Sequence, residues 1–368
     1  MIKKIIFIFC LYFISYYTLA ESAREYFKIA KHSYDKQEYD KAIDFVNQAI
    51  IVDPDYINGY LLRAEINFRL EEYNQVIDDI SFAFDLDENI NKSMPEFHLL
   101  RGDAYIRLNK LNSAANDISF SLRLNPNNAR AHYLMGLINI NRKIYFEALE
   151  NLDKAIVLDS DESEYYYQRA KLKKLHFKPL PGTKIYESIM TDIKLSLALS
   201  PDDFRCYLLK CNMIKLDEHY DKAKFVAELD LYIEKFSEKS VFYAERGMIK
   251  VLMNRSQEAI SDFTRAIHFD EENENNYLNR GLCFHNSKKY QLALNDYTKS
   301  INILVGKLKI SNNDPATKKA LSEAYNLRGM SNQLNGDKDF SCDDYYNSAK
   351  LGSKSGLNNY RKNCHVFN

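Results

Sequence analysis

The sequence predicts an all-α fold, a one-dimensional stack of about nine helix pairs ending in a C-terminal capping helix. Three observations predict it. Small residues recur at Ala30, Ala64, Gly102, Gly136, Ala170, Cys211, Gly247, Gly281 and Gly329, and four of the eight steps between them are 34 residues long. Apolar residues around each of them follow three- and four-residue steps, the period of a helix. Only 11 Gly and 7 Pro in 368 residues argue against a loop-rich or mostly β architecture. A unit of this length cannot bury its apolar face alone, so successive units must stack.

The N-terminal 20 residues stand apart. Lys3 and Lys4 precede an apolar run from Ile5 to Phe13 that extends to Tyr17, and Thr18-Leu19-Ala20 ends on a small residue. This pattern reads as a signal peptide cleaved after Ala20. The competing reading is an uncleaved anchor, for which the run is short against the ~20 residues that span a bilayer. The expected location is therefore the periplasm or cell envelope, or outside the cell.

The first unit shows the pattern most clearly. Tyr26, Ile29, Ala30 and Ser33 mark one face of a first helix, and Tyr39, Ala42, Ile43, Val46 and Ala49 mark a second. Pro54 then ends it, because proline cannot continue a helix. Equivalent units fall near 23–56, 57–90, 95–128, 129–162, 163–203, 204–239, 240–273, 274–307 and 322–355, followed by a cap over 356–368. Insertions interrupt the period near Asn91–Met94, at Lys178–Ile185, after the sixth unit, and between the eighth and ninth. They are expected to be surface loops; the alternative for the last is that it lengthens helices and clasps one end of a ligand.

The order of aromatic, small residue, aromatic near the turn, Ala, Ala and Pro resembles the tetratricopeptide repeat. The resemblance covers residues 22 to about 355 and implies a right-handed superhelix whose first helices line a concave face. With the small residue as the eighth position, positions two, five, nine, twelve and thirteen would face that groove. Among them are Tyr133, Leu137, Tyr167, Lys171, Lys174, Leu208, Asn212, Met248, His285 and Asn286. Rings, aliphatics and a few polar groups suit an extended peptide or a partner helix. The Lys/Asn clamp with which some members hold C-terminal carboxylates is not found at the matching positions.

An internal covariation accompanies the period. Position seven is Arg63, Arg101, Arg169, Arg246 and Arg280 in five units, and the same units carry Asp79, Asp117, Asp192, Asp262 and Asp296 at position twenty-three. Where Ile29, Met135 and Lys210 replace the Arg, position twenty-three is Phe45, Asn151 and Val226. This predicts an ion pair joining the two helices of each unit, a role that suits the two-point guanidinium fork. The alternative is a row of arginines that binds a ligand.

Cys342 and Cys364 each lie eleven residues from Ser353 in a turn, so two antiparallel helices would bring their sulfurs to one level. A disulfide is expected there in an exported protein, with two free thiols as the alternative; it resembles the Cys-ended hairpin of exported bacterial tetratricopeptide proteins. Cys206 and Cys211 lie about 140° apart on one helix and cannot bond each other; Cys211 and Cys283 are expected to be buried packing residues.

No phosphate-cradling Gly loop, His-Glu-x-x-His motif or other metal or cofactor signature occurs. Without residues 1–20 the chain holds 48 basic and 51 acidic residues, a balance that does not point to nucleic acid as a partner. No later stretch is apolar enough to span a membrane. The expected function is a non-enzymatic scaffold that binds a protein or peptide of unknown identity without a cofactor. A carrier of many weakly held clients is the alternative.

Overall fold

The computed structural model describes residues 22–310 and 314–364. The expected signal peptide and its cleavage point lie outside the described residues. Among the described residues every regular element is an α-helix.

The described residues divide into two compact units, one ending at Cys206 and the other beginning at Tyr207. The first holds α1 (22–35), α2 (Tyr39–Val52), α3 (Ile57–Arg69), α4 (Tyr73–Leu86), α5 (Glu88–Ser93), α6 (Pro95–Arg107), α7 (Leu111–Leu124), α8 (Ala129–Asn141), α9 (Tyr145–Leu158), α10 (Ser163–His176) and α11 (Lys184–Leu199). The division falls within α12 (Phe204–Ile214). The second unit continues with α13 (Lys222–Lys235), α14 (Ser240–Leu252), α15 (Ser256–Phe269), α16 (Glu274–Asn286), α17 (Tyr290–Ile310), α18 (Pro315–Asn335), α19 (Lys338–Lys350) and α20 (Lys354–Asn363). Within each unit a helix packs on its partner and on the next pair, the solenoid of helix pairs that the period predicts.

The hairpin turns share one device. Gln37, Glu71, Asn109, Lys143, Asn254 and Lys288 sit seven residues after their small residue, and all have φ between 57° and 63°. The ninth pair uses Gly336 at the same place. The next backbone N–H reaches back across the turn, as Glu72 N to Asn67 O (2.9 Å) and Ile144 N to Asn139 O (2.8 Å). These bonds satisfy carbonyls that the helix end leaves open.

The small residues let paired helices touch. A Cβ on Gly281 would lie 2.8 Å from Cε1 of Tyr297, and one on Gly329 would lie 2.9 Å from the Tyr345 ring. Gly136 and Gly247 likewise face Leu152 and Phe263. Gly102 faces Ile118 in the same way, while the units with Ala30 and Ala64 carry Val46 and Ile80 sixteen residues on. Tyr297 is fully buried and cannot swing away. Gly281→Ala is therefore expected to destabilise the second unit by about 1–3 kcal/mol through overpacking, read as an earlier denaturant midpoint. Gain of stability from the better helix former would refute this contact.

Two insertions differ from expectation. Residues near Asn91–Met94 form the helix α5 instead of a loop: Asp87 caps it by accepting a hydrogen bond from Asn89 N, and the Asn91 carbonyl accepts one from His98 Nε2 at 2.7 Å. The two extra residues of the sixth pair lie inside it, in the turn before α13. Second helices start nine residues after Gly136, Gly247 and Gly281, but Lys222 follows Cys211 by eleven. Position twenty-three of that pair is thus Glu228, and Val226 is not its counterpart. The insertion at Lys178–Ile185 does form a loop before α11, and the last one accompanies two 21-residue helices, α17 and α18.

At the C-terminal end α20 caps the ninth pair, and Cys342 and Cys364 are joined with Cα atoms 5.6 Å apart. Cys206, Cys211 and Cys283 are buried free thiols. Burial pushes the Cys206 and Cys283 thiols up to about 11 and Cys211 to about 12, which leaves them inert as nucleophiles near neutral pH.

Candidate functional site

The five expected ion pairs all form. Arg63 Nη2 donates to Asp79 Oδ1 at 2.6 Å and its Nε to Oδ2 at 2.9 Å, and Arg280 forks onto Asp296 at 2.7 and 2.9 Å. Arg101–Asp117, Arg169–Asp192 and Arg246–Asp262 repeat the fork. A sixth joins the ninth pair, Arg328 to Asp344. The re-registered sixth pair supplies a variant in which Lys210 Nζ donates to Glu228. The longer acid makes up for the single-point cation. In the fourth pair, where Met135 replaces Arg, Asn151 lies 3.3 Å from His132 Nδ1.

Each guanidinium has a third leg that sequence reasoning missed. Nη1 of Arg63, Arg101, Arg169, Arg246, Arg280 and Arg328 donates to Asn47, Ser81, Asp153, Asp230, Thr264 and Thr298. Each acceptor lies on the second helix of the preceding pair. One side chain thus joins three helices. These contacts give the arginines a structural role within the stack. The overlooked signal was a short polar residue two positions after the twenty-third in every pair that precedes one of these arginines.

The environment tunes the acids differently. Burial raises Asp117, but the Arg101 fork and the His98 ring outweigh it and hold the carboxyl below its ordinary value. Burial also raises Asp344, and there the Arg328 fork and Asn332 do not overcome it. Asp117 thus contributes stability above the unfolded value of about 3.9, lost as pH falls through its lower folded pKa. Asp344 has the opposite sign: its linkage favours the fold at low pH and fades as pH rises through its raised pKa. Carboxyl ¹³C titration is expected to place Asp117 below, and Asp344 above, the ordinary Asp value; the reverse order would overturn this account.

The first unit carries a trough along its first helices. A cleft of about 550 Å³ is lined by residues including Asp103, Arg107, Arg130, Tyr133, Leu137, Glu164 and Arg205. A smaller one of about 200 Å³ adjoins it through Asp103 and Arg130 and reaches Tyr34, Glu65, Phe68 and Arg69. Buried Asp103 accepts from Arg130 Nη2 at 2.7 Å and from Arg107 Nε at 3.4 Å, while both arginines keep half of their surface in solvent. Arg205 donates to Glu164 at 2.6 Å and lies 4.6 Å from the centre of the Tyr167 ring. Tyr133 stacks on Tyr165 at 4.9 Å, and burial pushes the Tyr165 hydroxyl up to about 12.

A family profile for the tetratricopeptide repeat matches residues 99–163. A solved tetratricopeptide repeat protein from Parabacteroides merdae superposes with a TM-score of 0.51 at 19% identity, over 72% of this chain and 99% of that one. Residues 99–163 match the tetratricopeptide repeat, and the chain shares the helix-pair fold of that solved structure. The chain is also 25% identical over 187 residues to the DnaJ homolog subfamily C member 7 homolog of Dictyostelium discoideum, which is 47% of this chain and only a third of that relative's length. A thermophilic tetratricopeptide repeat protein of Thermus thermophilus aligns over 53% of this chain and all of its own, at 16% identity and a TM-score of 0.40.

The tetratricopeptide register places the expected groove residues unevenly. Tyr133 and Leu137 line the larger cleft. Tyr167 supports its end through Arg205; Lys171 is exposed beside that ring, its Nζ 5.9 Å from the centroid, and Lys174 is half-buried. In the second unit Leu208 and Asn212 are half-buried, Met248 and Asn286 are exposed, and His285 is spent on Ser331 of α18 at 2.7 Å. Sequence reasoning passed over the trough's charges, although Glu65, Arg69, Asp103, Arg107, Arg130, Glu164 and Arg205 occupy the same positions two, nine and thirteen. Among the described residues no group of three or more His, Cys, Asp or Glu is placed to hold a metal ion, and no helix is long and apolar enough to cross a membrane.

Proposed function

We propose that this protein is a non-enzymatic scaffold of the cell envelope that binds a peptide or partner helix in the trough of its first unit. The observation that carries the reading is the lining: half-buried rings and aliphatics for contact area, flanked by acids and bases of both signs that set register. Asp103, buried beneath two half-exposed arginines, holds their guanidinium groups in place while leaving N–H donors facing the trough. The tetratricopeptide fold supports protein binding, and the pattern of residues 1–20 together with the Cys342–Cys364 bridge supports an exported protein of the Cys-ended type. A carrier of many clients is the second reading, favoured by the mixed charge of the same lining.

In-cell crosslinking of the tagged full-length chain, followed by mass spectrometry, tests this. A scaffold gives one dominant stoichiometric partner, lost on Tyr167→Ala with Lys171→Ala while circular dichroism is unchanged. Many weak clients would replace the scaffold with the carrier, and a dominant partner retained by the double variant would move the site off this trough.

A further inference from the structure

We infer that the turn edge of the fourth and fifth pairs docks on an anionic lipid surface. This is separate from the trough and does not rest on it. Whole-chain charge is near balance, but residues 165–186 contain six basic residues and no acid. The fold spends Arg169 on Asp192 and Asp153, and Lys173 on Asp192 and Ser188. Lys178 and Lys184 instead sit exposed on the loop between α10 and α11 and its first helical residue. The neighbouring turn between α8 and α9 adds exposed Arg142 and Lys143, and Arg142 is bonded to Leu111 O and Asn112 with no acid in the contact. Glu147 and Glu187 are the acids in the first turns of α9 and α11.

The same edge exposes apolar side chains. Phe146 is 79% and Leu180 66% exposed. The Phe146 ring meets Phe177 edge-on at 5.5 Å, which brings the two turns together. The loop is held in shape: Pro179 is buried, Gly182 takes φ +78°, and Thr183 Oγ1 donates to Leu180 O at 2.6 Å. Leu180 therefore stands at a fixed tip instead of on a collapsing loop.

Apolar side chains protruding among lysines match a lipid interface, where rings and aliphatics enter the acyl boundary and cations meet headgroup phosphates. The clefts of the first unit are lined by other residues, so an acidic peptide would find no trough on this edge.

The test is co-sedimentation with phosphatidylcholine vesicles containing 30% phosphatidylglycerol. The chain used starts at Ser22, because every repeat lies beyond that point and residues 5–17 would bind lipid by themselves. The expected result is partition into the anionic vesicles, absent with pure phosphatidylcholine. Lys178→Gln with Lys184→Gln should lower the partition coefficient at least ten-fold, at roughly five-fold per charge. Phe146→Ser with Leu180→Ser should lower it by a similar factor, and Tyr167→Ala should leave it unchanged. Circular dichroism checks that these exposed substitutions leave the fold intact. No partition, or partition that survives either double variant, would overturn the inference, as would capture of polyglutamate without binding to vesicles.

Discussion

Replacing Arg280 by Met is expected to weaken the eighth repeat by about 3–5 kcal/mol, because it strands a buried carboxylate. Asp296 keeps only 8% of its side-chain surface and receives two of the three guanidinium bonds, while Thr264 loses the third. Arg280→Met with Asp296→Asn should restore most of the loss. The fourth repeat already holds that combination, and its Asn151 donates to the Glu147 carbonyl one turn back at 2.8 Å. Leu292 offers the equivalent carbonyl to an Asn at 296.

A solenoid need not unfold in one step, so hydrogen exchange of α16 and α17 is the measurement of choice. If the double variant is no better protected than the single one, the pairing account fails. Arg280→Lys with Asp296→Glu gives a second comparison, since Lys210 and Glu228 make that pair in the sixth repeat. It should outperform Arg280→Lys alone, because a lysine cannot fork onto the shorter acid.

The period, the five Arg–Asp pairs and the C-terminal hairpin were legible because each is a relation at fixed spacing within one repeat. What escaped was of another kind. The sixth repeat's extra residues leave the step from Cys211 to Gly247 unchanged whether they fall inside the pair or after it, so only the start of α13 at Lys222 reveals that Glu228 faces Lys210. The third guanidinium leg joins adjacent repeats, and its acceptors vary among Asn, Ser, Asp and Thr because any short oxygen serves. In the trough, position singled out Tyr133 and Leu137, yet the charges at the same positions look like ordinary solvated residues until Asp103 is seen buried beneath Arg107 and Arg130. His285 erred the other way: its position faces the groove in an ordinary repeat, but the lengthened α18 supplies Ser331 to occupy it.

Removing the bridge at the C-terminal end should release α20 and leave most of the second unit folded. The other contacts of α20 are mostly polar, apart from the Tyr360 ring 5.8 Å from that of Tyr346. Gly356 packs closely on Ser348, Asn359 donates to Asn326 at 2.9 Å, and Gln333 donates to Asn363 at 3.1 Å. Its only buried residue is that glycine, so it gains little from apolar burial. A bridge closing a loop with a sequence separation of 22 stabilises by about 3 kcal/mol in the chain-entropy account, roughly a hundred-fold in the opening equilibrium. Cys342→Ser with Cys364→Ser, or reduction with dithiothreitol, is therefore expected to speed exchange of α20 amides by about two orders of magnitude. Protection in α14 to α16 should stay within a few-fold, because repeats couple to their neighbours and not to the whole array. Uniform loss of protection across the second unit would mean that the bridge holds a global fold, and unchanged exchange in α20 would mean that its polar contacts suffice without the bridge.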